Sequence, residues 1–377
     1  MRLVKYRYSN NEGWDFSEVE FSKINLLVGD TGTGKTRFLN TIFNLGRSVA
    51  SEEYTLRGGF WDVTVTQNNI TYQWTIDVIS TKKHKEYLVG EEYVWRFDKE
   101  GKKVPLIERD QNKFMFLGKK LPKLSQKKTS INLLQDEEEI NPIYKGFASI
   151  LRRQFSRDAL ERVLEYQPIP IGLLDRVKNE KDLTEIFHLE LRLNATLFFL
   201  SQHFPSKYRQ ICEYYRTIFP FISKIEILDI TDLHKNFSVP SKLPVFCIQE
   251  KEVDKWIELG QLSSGMQKVL LILTDATILP EGGIYLIDEY ENSLGINSIN
   301  FLPTLLYETD VSGQFIITSH HPYIINNIPI ENWLITHRLG GKVNIMYGKE
   351  LVERFGKSKQ QAFIKLVNDP LFSQGVQ

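Results

Sequence analysis

Cysteine is almost absent from this sequence, with only Cys212 and Cys247 among 377 residues. Two cysteines so far apart exclude a disulfide framework and a Cys-x-x-Cys zinc site, and this usage favours a reducing compartment. The chain also lacks any run of about 18 apolar residues, which excludes a membrane-spanning helix. Its first residues, MRLVKYRYSNNEGWDF, lack the apolar segment of a signal peptide. We therefore expect a cytoplasmic protein with no membrane partner.

An excess of one charge is also missing, because lysine plus arginine and aspartate plus glutamate both number 47. A balanced chain is not a generally basic nucleic-acid binder, so any nucleic-acid contact has to come from a local patch. One such patch is residues 117–130, LGKKLPKLSQKKTS, with five lysines and no acid. The segment is either a solvated loop or a contact for a phosphate backbone, and the sequence leaves both open.

The glycine-rich stretch GDTGTGKT, residues 29–36, fits the phosphate-binding pattern of Gly, four residues, Gly-Lys-Ser/Thr. Its glycines let backbone N–H groups point at a polyphosphate, Lys35 reaches the β- and γ-phosphates, and the Thr36 hydroxyl is a ligand for Mg²⁺. An apolar strand precedes the stretch, and a helix whose N-terminus favours anions follows it. The candidate nucleotide-binding residues here are Gly29, Asp30, Thr31, Gly32, Thr33, Gly34, Lys35, Thr36 and Arg37.

Two acids, Asp288 and Glu289, follow the apolar run Ile284–Ile287. In a phosphate-loop ATPase a carboxylate at the end of such a strand directs Mg²⁺, and we assign this role to Asp288. Glu289 is placed to orient the attacking water or to accept its proton. The alternative is a charged turn after a buried strand, and the presence of the Lys35 loop argues against it.

The stretch LGQLSSGMQKVLLIL, residues 259–273, begins an apolar helix about 25 residues before the acidic strand. Ser263, Ser264 and Gly265 stand at the start of this helix, where N–H groups and a hydroxyl can bind an anion. A simple serine N-cap is the alternative. The position before the acidic strand favours the anion-binding role.

Two adjacent histidines follow the strand in FIITSHHPYII, residues 315–325. At the exit of a core strand a histidine can hydrogen-bond the γ-phosphate or the attacking water, and we favour His320 over His321 for this role. The candidate catalytic residues are therefore Lys35, Glu289 and His320. The candidate metal ligands are Thr36 and Asp288.

Strand and helix patterns place these motifs in an α/β fold. The runs Ile284–Ile287, Phe315–Thr318 and Trp333–Thr336 are apolar, β-rich and separated by helical segments, which predicts a parallel core sheet. Residues 63–78 and 91–108 predict two hairpins, with turns at Gln67-Asn68-Asn69 and Lys99-Glu100-Gly101.

Between these parts, residues 141–221 carry helical periodicity, most clearly at 183–204. SKIEILDI, residues 223–230, then predicts a return to strand. The stretch KSKQQAFIKLVND, residues 357–369, predicts a short amphipathic helix.

The order of phosphate loop, serine-glycine signature, acidic strand and switch histidine resembles that of ABC-type ATPases, in the branch that holds SMC, Rad50, RecF and the OLD-like enzymes. LSSGMQK resembles the LSGGQ signature, IDEYENSL resembles DEPENSLHP-type sequences, and TSHHP resembles the TTHSP switch motif. The resemblance is strongest to compact prokaryotic AAA-type ATPases, several of which serve in phage-defence or toxin–antitoxin-like systems.

This resemblance implies an α/β phosphate-loop NTPase of ABC-ATPase type, with a mixed, mainly parallel core sheet, an antiparallel β subdomain and a helical insertion. The N-terminal half of the ATPase head is expected at 1–140 and the helical insertion at 141–222. The C-terminal half, with a short helical tail, is expected at 223–377.

The resemblance also implies a way of working, in which ATP and Mg²⁺ are held between two head domains. Lys35 and Thr36 of one subunit would face Ser263 and Gly265 of the other. ATP would thus join a homodimer or a larger homo-oligomer, and hydrolysis would separate it. Residues 292–295 would form the loop that meets its counterpart across the dimer.

Several positions depart from the family pattern. Asp30 places a carboxylate in the phosphate loop, Met266 replaces the Gln or Glu of the signature, and Gly295 stands where a histidine is common. The glutamine that couples Mg²⁺ to the lobes is left open among Gln67, Gln73 and Gln154. No aromatic residue is assigned to the adenine.

The leading functional hypothesis is an ATP-hydrolysing sensor or switch that acts with a separate effector, a nuclease or a toxin, in prokaryotic anti-phage defence. Because the stretch after His320 is too short for the TOPRIM nuclease domain of OLD enzymes, we expect any cutting to be done by another protein. A RecF-like ATPase clamp on duplex DNA is the second hypothesis, motivated by residues 117–130. A weakly active nucleotide-binding scaffold is the third, with Asp30 and Met266 as marks of decay.

Overall fold

The structure is a computed structural model, and it describes residues 1–51, 56–80, 86–155, 157–169, 172, 183–236, 241–291, 294, 299, 306 and 313–350. The β-strands of this part are Arg2–Ser9 (β1), Asp15–Glu20 (β2), Ile24–Val28 (β3), Gly59–Gln67 (β4), Ile70–Ser80 (β5), Tyr87–Phe97 (β6), Lys103–Arg109 (β7), Phe114–Phe116 (β8), Lys119–Lys120 (β9), Ile150–Gln154 (β10), Ile222–Asp229 (β11), Pro244–Glu250 (β12), Ile257–Glu258 (β13), Ile284–Asp288 (β14), Gln314–Thr318 (β15), Trp333–Leu339 (β16) and Lys342–Tyr347 (β17). Its α-helices are Lys35–Ala50 (α1), Ser130–Leu133 (α2), Asn141–Ala148 (α3), Arg157–Leu164 (α4), Leu183–His188 (α5), Leu193–His203 (α6), Pro205–Ile218 (α7), Ile230–Leu233 (α8), Ser264–Ile278 (α9) and Pro322–Asn327 (α10).

The chain divides into two units, the first made of residues 1–153, 281–288 and 312–377. Its strands form one 14-stranded sheet in the order β10-β14-β15-β3-β16-β17-β2-β1-β4-β5-β6-β7-β8-β9. Neighbours within the group β14-β15-β3-β16 are parallel. The predicted parallel core sheet is therefore confirmed, and the strand before the phosphate loop lies inside it.

The parallel strands β3, β14 and β15 are mainly apolar and are buried on both faces. Every residue of β3, β14 and β15 is buried, as a strand between two covered faces requires. One buried apolar cluster contains Phe38 and Ile42 of helix α1 together with Phe16, Leu27 and Leu286. Burial of each such side chain stabilises the fold by about 2 kcal/mol. This packing holds in place the strand ends that carry the motifs.

The other end of the sheet is an antiparallel meander that contains both predicted hairpins. β4 and β5 pair along their length, and buried and partly exposed residues alternate along β4, as expected when one face is covered. The turn between them places Asn68 at φ 51° and Asn69 at φ 61°. Both positive values fit a two-residue hairpin turn, which asparagine tolerates better than most residues.

The second unit is made of residues 154–280 and 289–311. It contains the sheet β11-β12-β13, so the strand predicted at 223–230 is present. Helix α9 supplies a buried apolar stretch, and the Tyr215 hydroxyl of α7 donates to the Met266 carbonyl over 3.2 Å.

Two details differ from uniform helical periodicity over 141–221. Residues 150–154 form strand β10, and the pattern at 183–204 is divided between α5 and α6. Glu190 has φ 47° between these helices, and the Gln167 side chain accepts the Arg192 N–H over 2.8 Å. The side-chain oxygen thus satisfies an N–H group that has no intrahelical acceptor at the start of α6.

Among the described residues, no helix combines the length and the apolar character needed to cross a bilayer. The amphipathic helix predicted at 357–369 lies outside the described residues. Asn292 and Gly295 of the expected dimer loop also lie outside them.

Candidate functional site

The phosphate loop connects β3 to α1, as its sequence pattern predicts. Gly34 has φ 95° at the residue before α1, a conformation that glycine adopts without strain. A Cβ atom on Gly29 would lie 2.1 Å from the Thr336 hydroxyl oxygen on the neighbouring strand β16. The Thr33 and Thr336 hydroxyls share a hydrogen bond of 2.9 Å. Close packing against β16 therefore explains the glycine at position 29, and the backbone turn explains the one at 34.

The Lys35 ammonium lies at the centre of this loop. Its Nζ donates to the carbonyl oxygens of Gly29 at 2.9 Å and Asp30 at 2.8 Å, and the side chain is buried. The Asp30 side chain is exposed, and its carboxylate accepts the Thr31 N–H over 2.7 Å. Of the other loop residues, Thr31, Gly32 and Arg37 are also exposed. The loop thus encloses one positive charge and leaves polar groups at its surface for an anion.

The Asp288 carboxylate lies at the end of β14 and joins this loop to the neighbouring strands. Its Oδ1 accepts hydrogen bonds from the hydroxyls of Thr36 at 3.1 Å and Thr318 at 2.9 Å. Its Oδ2 accepts one from Arg152 Nη2 at 3.1 Å. Only 1% of the Asp288 side chain is exposed. The predicted metal ligands Thr36 and Asp288 are therefore brought together.

The chemistry of these two groups fits Mg²⁺. A hydroxyl and a carboxylate supply hard oxygen ligands, and Mg²⁺ completes its octahedron with water and phosphate oxygens. When bound, Mg²⁺ neutralises charge that develops on the phosphates during their transfer. Thr36 and Asp288 are the residues that would hold it.

The two histidines after β15 differ in their surroundings. His320 is exposed, whereas His321 is partly buried. The His321 N–H donates to the Ser319 hydroxyl over 3.1 Å, and its carbonyl accepts the Ile324 N–H at the start of α10. The exposed position makes His320 the better candidate for contact with a ligand.

The signature residues lie in the second unit, at the start of α9. Ser263 is the N-cap of this helix, and its hydroxyl accepts the Met266 N–H over 3.4 Å. Ser263 and Ser264 are exposed, while Gly265 is buried. The serine N-cap is thus present, and its geometry leaves the positive end of the helix open to solvent, where an anion is favoured.

Lys268, on the same helix, contacts the backbone at Glu289. Sequence patterns did not single out this lysine. Its Nζ donates to the backbone carbonyls of Glu289, at 3.3 Å, and Tyr290. Glu289 has φ 52°, a positive value that is uncommon outside glycine. The lysine lies 3.9 Å from the Phe155 ring centroid. Burial lowers the pKa of Lys268 to about 7, against the opposing effect of Glu291 and Glu289.

A stack of two guanidinium groups on Trp14 was also missed, since no motif marks it. Arg37 and Arg338 each lie 4.3 Å from the Trp14 ring centroid, within the range of a cation–π contact. Arg338 Nη1 also donates to the Gly32 carbonyl over 3.0 Å. The stack therefore supports the phosphate loop from β16.

The three candidate coupling glutamines lie in different places. Gln67 ends β4, and Gln73 in β5 donates to Asp62 over 2.7 Å within the meander. Gln154 ends β10, the strand that also carries Arg152. Because Arg152 contacts Asp288, strand β10 is the one of the three positions that adjoins the candidate metal ligands.

A protein-family model described as "AAA domain, putative AbiEii toxin, Type IV TA system" matches residues 109–326. The matched range includes the signature, the acidic strand and the switch histidine, and the phosphate loop precedes it. No curated protein matches the chain.

Two solved structures share the fold at low sequence identity. The "SmcHead bound to the C-winged helix domain of ScpA" has a TM-score of 0.52 and 12% identity, and the match covers 92% of this chain and 98% of that chain. An "Smc head domain with an extended coiled coil bound to the C-terminal domain of ScpA derived from Pyrococcus furiosus" has a TM-score of 0.50 and 12% identity, with coverage of 94% and 98%. The family match spans more than half of the chain. The protein therefore belongs to this AAA-domain family and has the fold of an SMC head domain.

Proposed function

We propose that this protein binds and hydrolyses ATP with Mg²⁺, and that bound ATP joins two copies of the chain into a switch for a separate effector. The observation that carries the proposal is the convergence of the Lys35 loop and the Asp288 carboxylate on Thr36 in one unit. A charged turn without function would not require a buried carboxylate to accept two threonine hydroxyls and a guanidinium.

In this proposal the loop N–H groups and Lys35 bind the phosphates, and Thr36 and Asp288 hold the metal. Gln154 is our choice for the coupling glutamine, on account of its place in β10. Glu289 orients or deprotonates the attacking water, and His320 bonds the γ-phosphate.

The signature helix supports the dimer part of the proposal. Ser263 and Ser264 are exposed at a helix N-terminus, which suits them to the γ-phosphate of ATP bound to another copy. The two SMC heads of similar fold were solved with ScpA domains. By analogy, we infer that an ATP-bound pair of this chain docks a partner protein.

The family description bears on the identity of that partner. A family of AbiEii type is consistent with a cytoplasmic role in anti-phage defence, with a toxin or a nuclease as effector. A DNA clamp is the second candidate, because four lysines of the segment 117–130 are exposed: Lys119, Lys120, Lys123 and Lys127.

Molar mass in solution tests the proposal. Glu289→Gln should bind ATP·Mg²⁺, fail to hydrolyse it and accumulate with at least twice the mass of its nucleotide-free form. The additional change Ser263→Arg should abolish the increase, because a bulky cation then blocks the signature end of α9. A mass independent of ATP would contradict the switch, and an ATPase assay on the parent would show whether a weakly active scaffold remains.

A further inference from the structure

Arg152 lies in β10, the edge strand beside β14, and no motif assigns it a role. Its Nη2 donates to Asp288 Oδ2 over 3.1 Å, and the exposed fractions of the two side chains are 13% and 1%. An ion pair this well covered is weakly screened by solvent. Loss of either partner would leave an uncompensated charge in the interior.

The contacts of Asp288 are divided between its two oxygens. Oδ1 takes the hydroxyls of Thr36 and Thr318, and Oδ2 takes the guanidinium of Arg152. Donors from α1, β15 and β10 therefore fix the rotation of one carboxylate. In this orientation of the carboxylate, Oδ1 faces Thr36, the other candidate metal ligand.

A second observation concerns another nitrogen of the same guanidinium. Arg152 Nε is buried and has no hydrogen-bond partner in the described part of the chain. Buried donors without an acceptor are rare, and a guanidinium is always charged and has five N–H donors in a rigid fork. An unpartnered N–H on a cation next to Asp288 points to an acceptor that a ligand brings, and the matching chemistry is an anionic oxygen.

We propose that Arg152 is a further residue of the nucleotide site, with two functions. Its Nη2 positions the Asp288 carboxylate for the metal, and its Nε donates to an oxygen of the terminal phosphate of ATP. The inference rests on the proposed ATP site. It adds a cation from β10 to the one that Lys35 supplies from the loop.

The neighbouring residue provides a matched control. Successive side chains of a strand point to opposite faces, so Arg153 carries the same charge one residue away but faces away from Asp288. The variants are Arg152→Met, which removes the cation, Arg152→Lys, which keeps the charge without the fork, and Arg153→Met.

Three affinities are measured for each variant: Mg²⁺-ADP, a Mg²⁺-bound non-hydrolysable ATP analogue, and Mn²⁺ in the presence of ADP, followed by electron paramagnetic resonance. For Arg152→Met we expect analogue affinity to fall about tenfold or more, the usual value of a charge-assisted hydrogen bond. ADP affinity should change much less, and Mn²⁺ should bind more weakly because Asp288 is no longer oriented. Arg153→Met should match the parent in all three.

Thermal melting without nucleotide separates this role from a structural one. If Arg152 only stabilises the fold, the melting temperature falls and the ratio of ADP to analogue affinity stays parental, which overturns the proposal. Should Arg152→Met fail to fold, Arg152→Lys decides in the same way, because it keeps the charge and loses Nε. Lys35→Ala tests the site itself: if the parent binds nucleotide no better than this variant, the proposed function fails and this inference with it.

Discussion

Lys268 has surroundings unlike those of an ordinary surface lysine. It is fully buried, it donates to two backbone carbonyls after β14, and its Nζ faces the Phe155 ring. Burial lowers its pKa from 10.5 to about 7, although Glu291 and Glu289 favour the charged form. The residue that fixes the backbone of Glu289 thus changes its protonation close to neutral pH.

This shift has a definite sign in the stability of the protein. Between the native pKa of about 7 and the unfolded value of 10.5, the unfolded chain binds more protons at Lys268 than the native chain does. The free energy of unfolding therefore rises with pH across this window, by at most about 1.4 kcal/mol per pH unit. We predict that Lys268→Met lacks this rise, so the stability of the parent relative to the variant increases from pH 7 to pH 9.

Chemical denaturation of both proteins at pH 6, 7, 8 and 9 measures that difference. Lys255→Met is the matched control, because Lys255 is exposed in the same unit, and its curve should run parallel to that of the parent. A difference between the parent and Lys268→Met that stays flat above pH 7 would show that Lys268 keeps an ordinary pKa.

At the scale of elements, the predictable parts were those that depend on neighbours in sequence. The strand β3, the glycine loop and helix α1 follow one another, and the spacing of Gly29, Gly34 and Lys35 reports their geometry directly. The β4–β5 hairpin is equally local, because Asn68 and Asn69 adopt the positive φ angles of its turn.

The elements that escaped prediction depend on contacts across the chain. Arg152 and Asp288 are 136 residues apart, so no local pattern links them, and β10 lies in a stretch whose periodicity indicated helix. Arg338 contacts Gly32 over a separation of 306 residues. The sequence thus indicated the loop, the candidate metal ligands and the acidic strand, but not Arg152 and Arg338, the cations that contact them.

In the lysine-rich segment 117–130, two backbone carbonyls accept hydrogen bonds from the side chain of Arg109. Arg109 Nη2 donates to the Ser125 carbonyl at 2.7 Å, and its Nη1 donates to the Lys128 carbonyl at 2.9 Å. Arg109 also pairs with the buried Glu92 carboxylate. Lys119 and Lys120 lie in strand β9 of the sheet, and Lys123 and Lys127 lie in the following segment, which these hydrogen bonds attach to the sheet.

We predict that Lys119→Glu, Lys120→Glu and Lys123→Glu together weaken binding to duplex DNA and lower the slope of log affinity against log salt by roughly 2–3. Fluorescence anisotropy over a salt series with ATP analogue present measures both. The control exchanges Lys99, Lys102 and Lys103 for Glu, since these lysines are also exposed near the β6–β7 turn. Parental affinity in the first variant, or no salt dependence in the parent, would exclude the clamp hypothesis.

At the scale of the whole molecule, the proposed chemistry is divided between the two units. Lys35, Thr36 and Asp288 belong to the first unit, and Ser263 and Glu289 belong to the second. A nucleotide held only by the loop should therefore stabilise the first unit. A nucleotide that also contacts the signature residues of another copy should stabilise the second unit of that copy as well.

Thermal unfolding should report this division. We predict that Mg²⁺-ADP stabilises the first unit by about 2.7 kcal/mol at a concentration 100 times its dissociation constant, with a melting temperature independent of protein concentration. A Mg²⁺-bound non-hydrolysable ATP analogue should stabilise both units and make melting depend on protein concentration, because only it supplies the γ-phosphate for a second copy. Differential scanning calorimetry at several protein concentrations distinguishes the two ligands.

Two variants assign each effect to its residues. Lys35→Ala should lose stabilisation by both ligands, because the phosphates lose their cation in the loop. Ser263→Arg should keep the effect of ADP and lose the concentration dependence with the analogue, since its own phosphate loop is intact and only the contact with the other copy is blocked. If Ser263→Arg retains the concentration dependence, the copies associate without the signature, and the assembly is not held together by ATP.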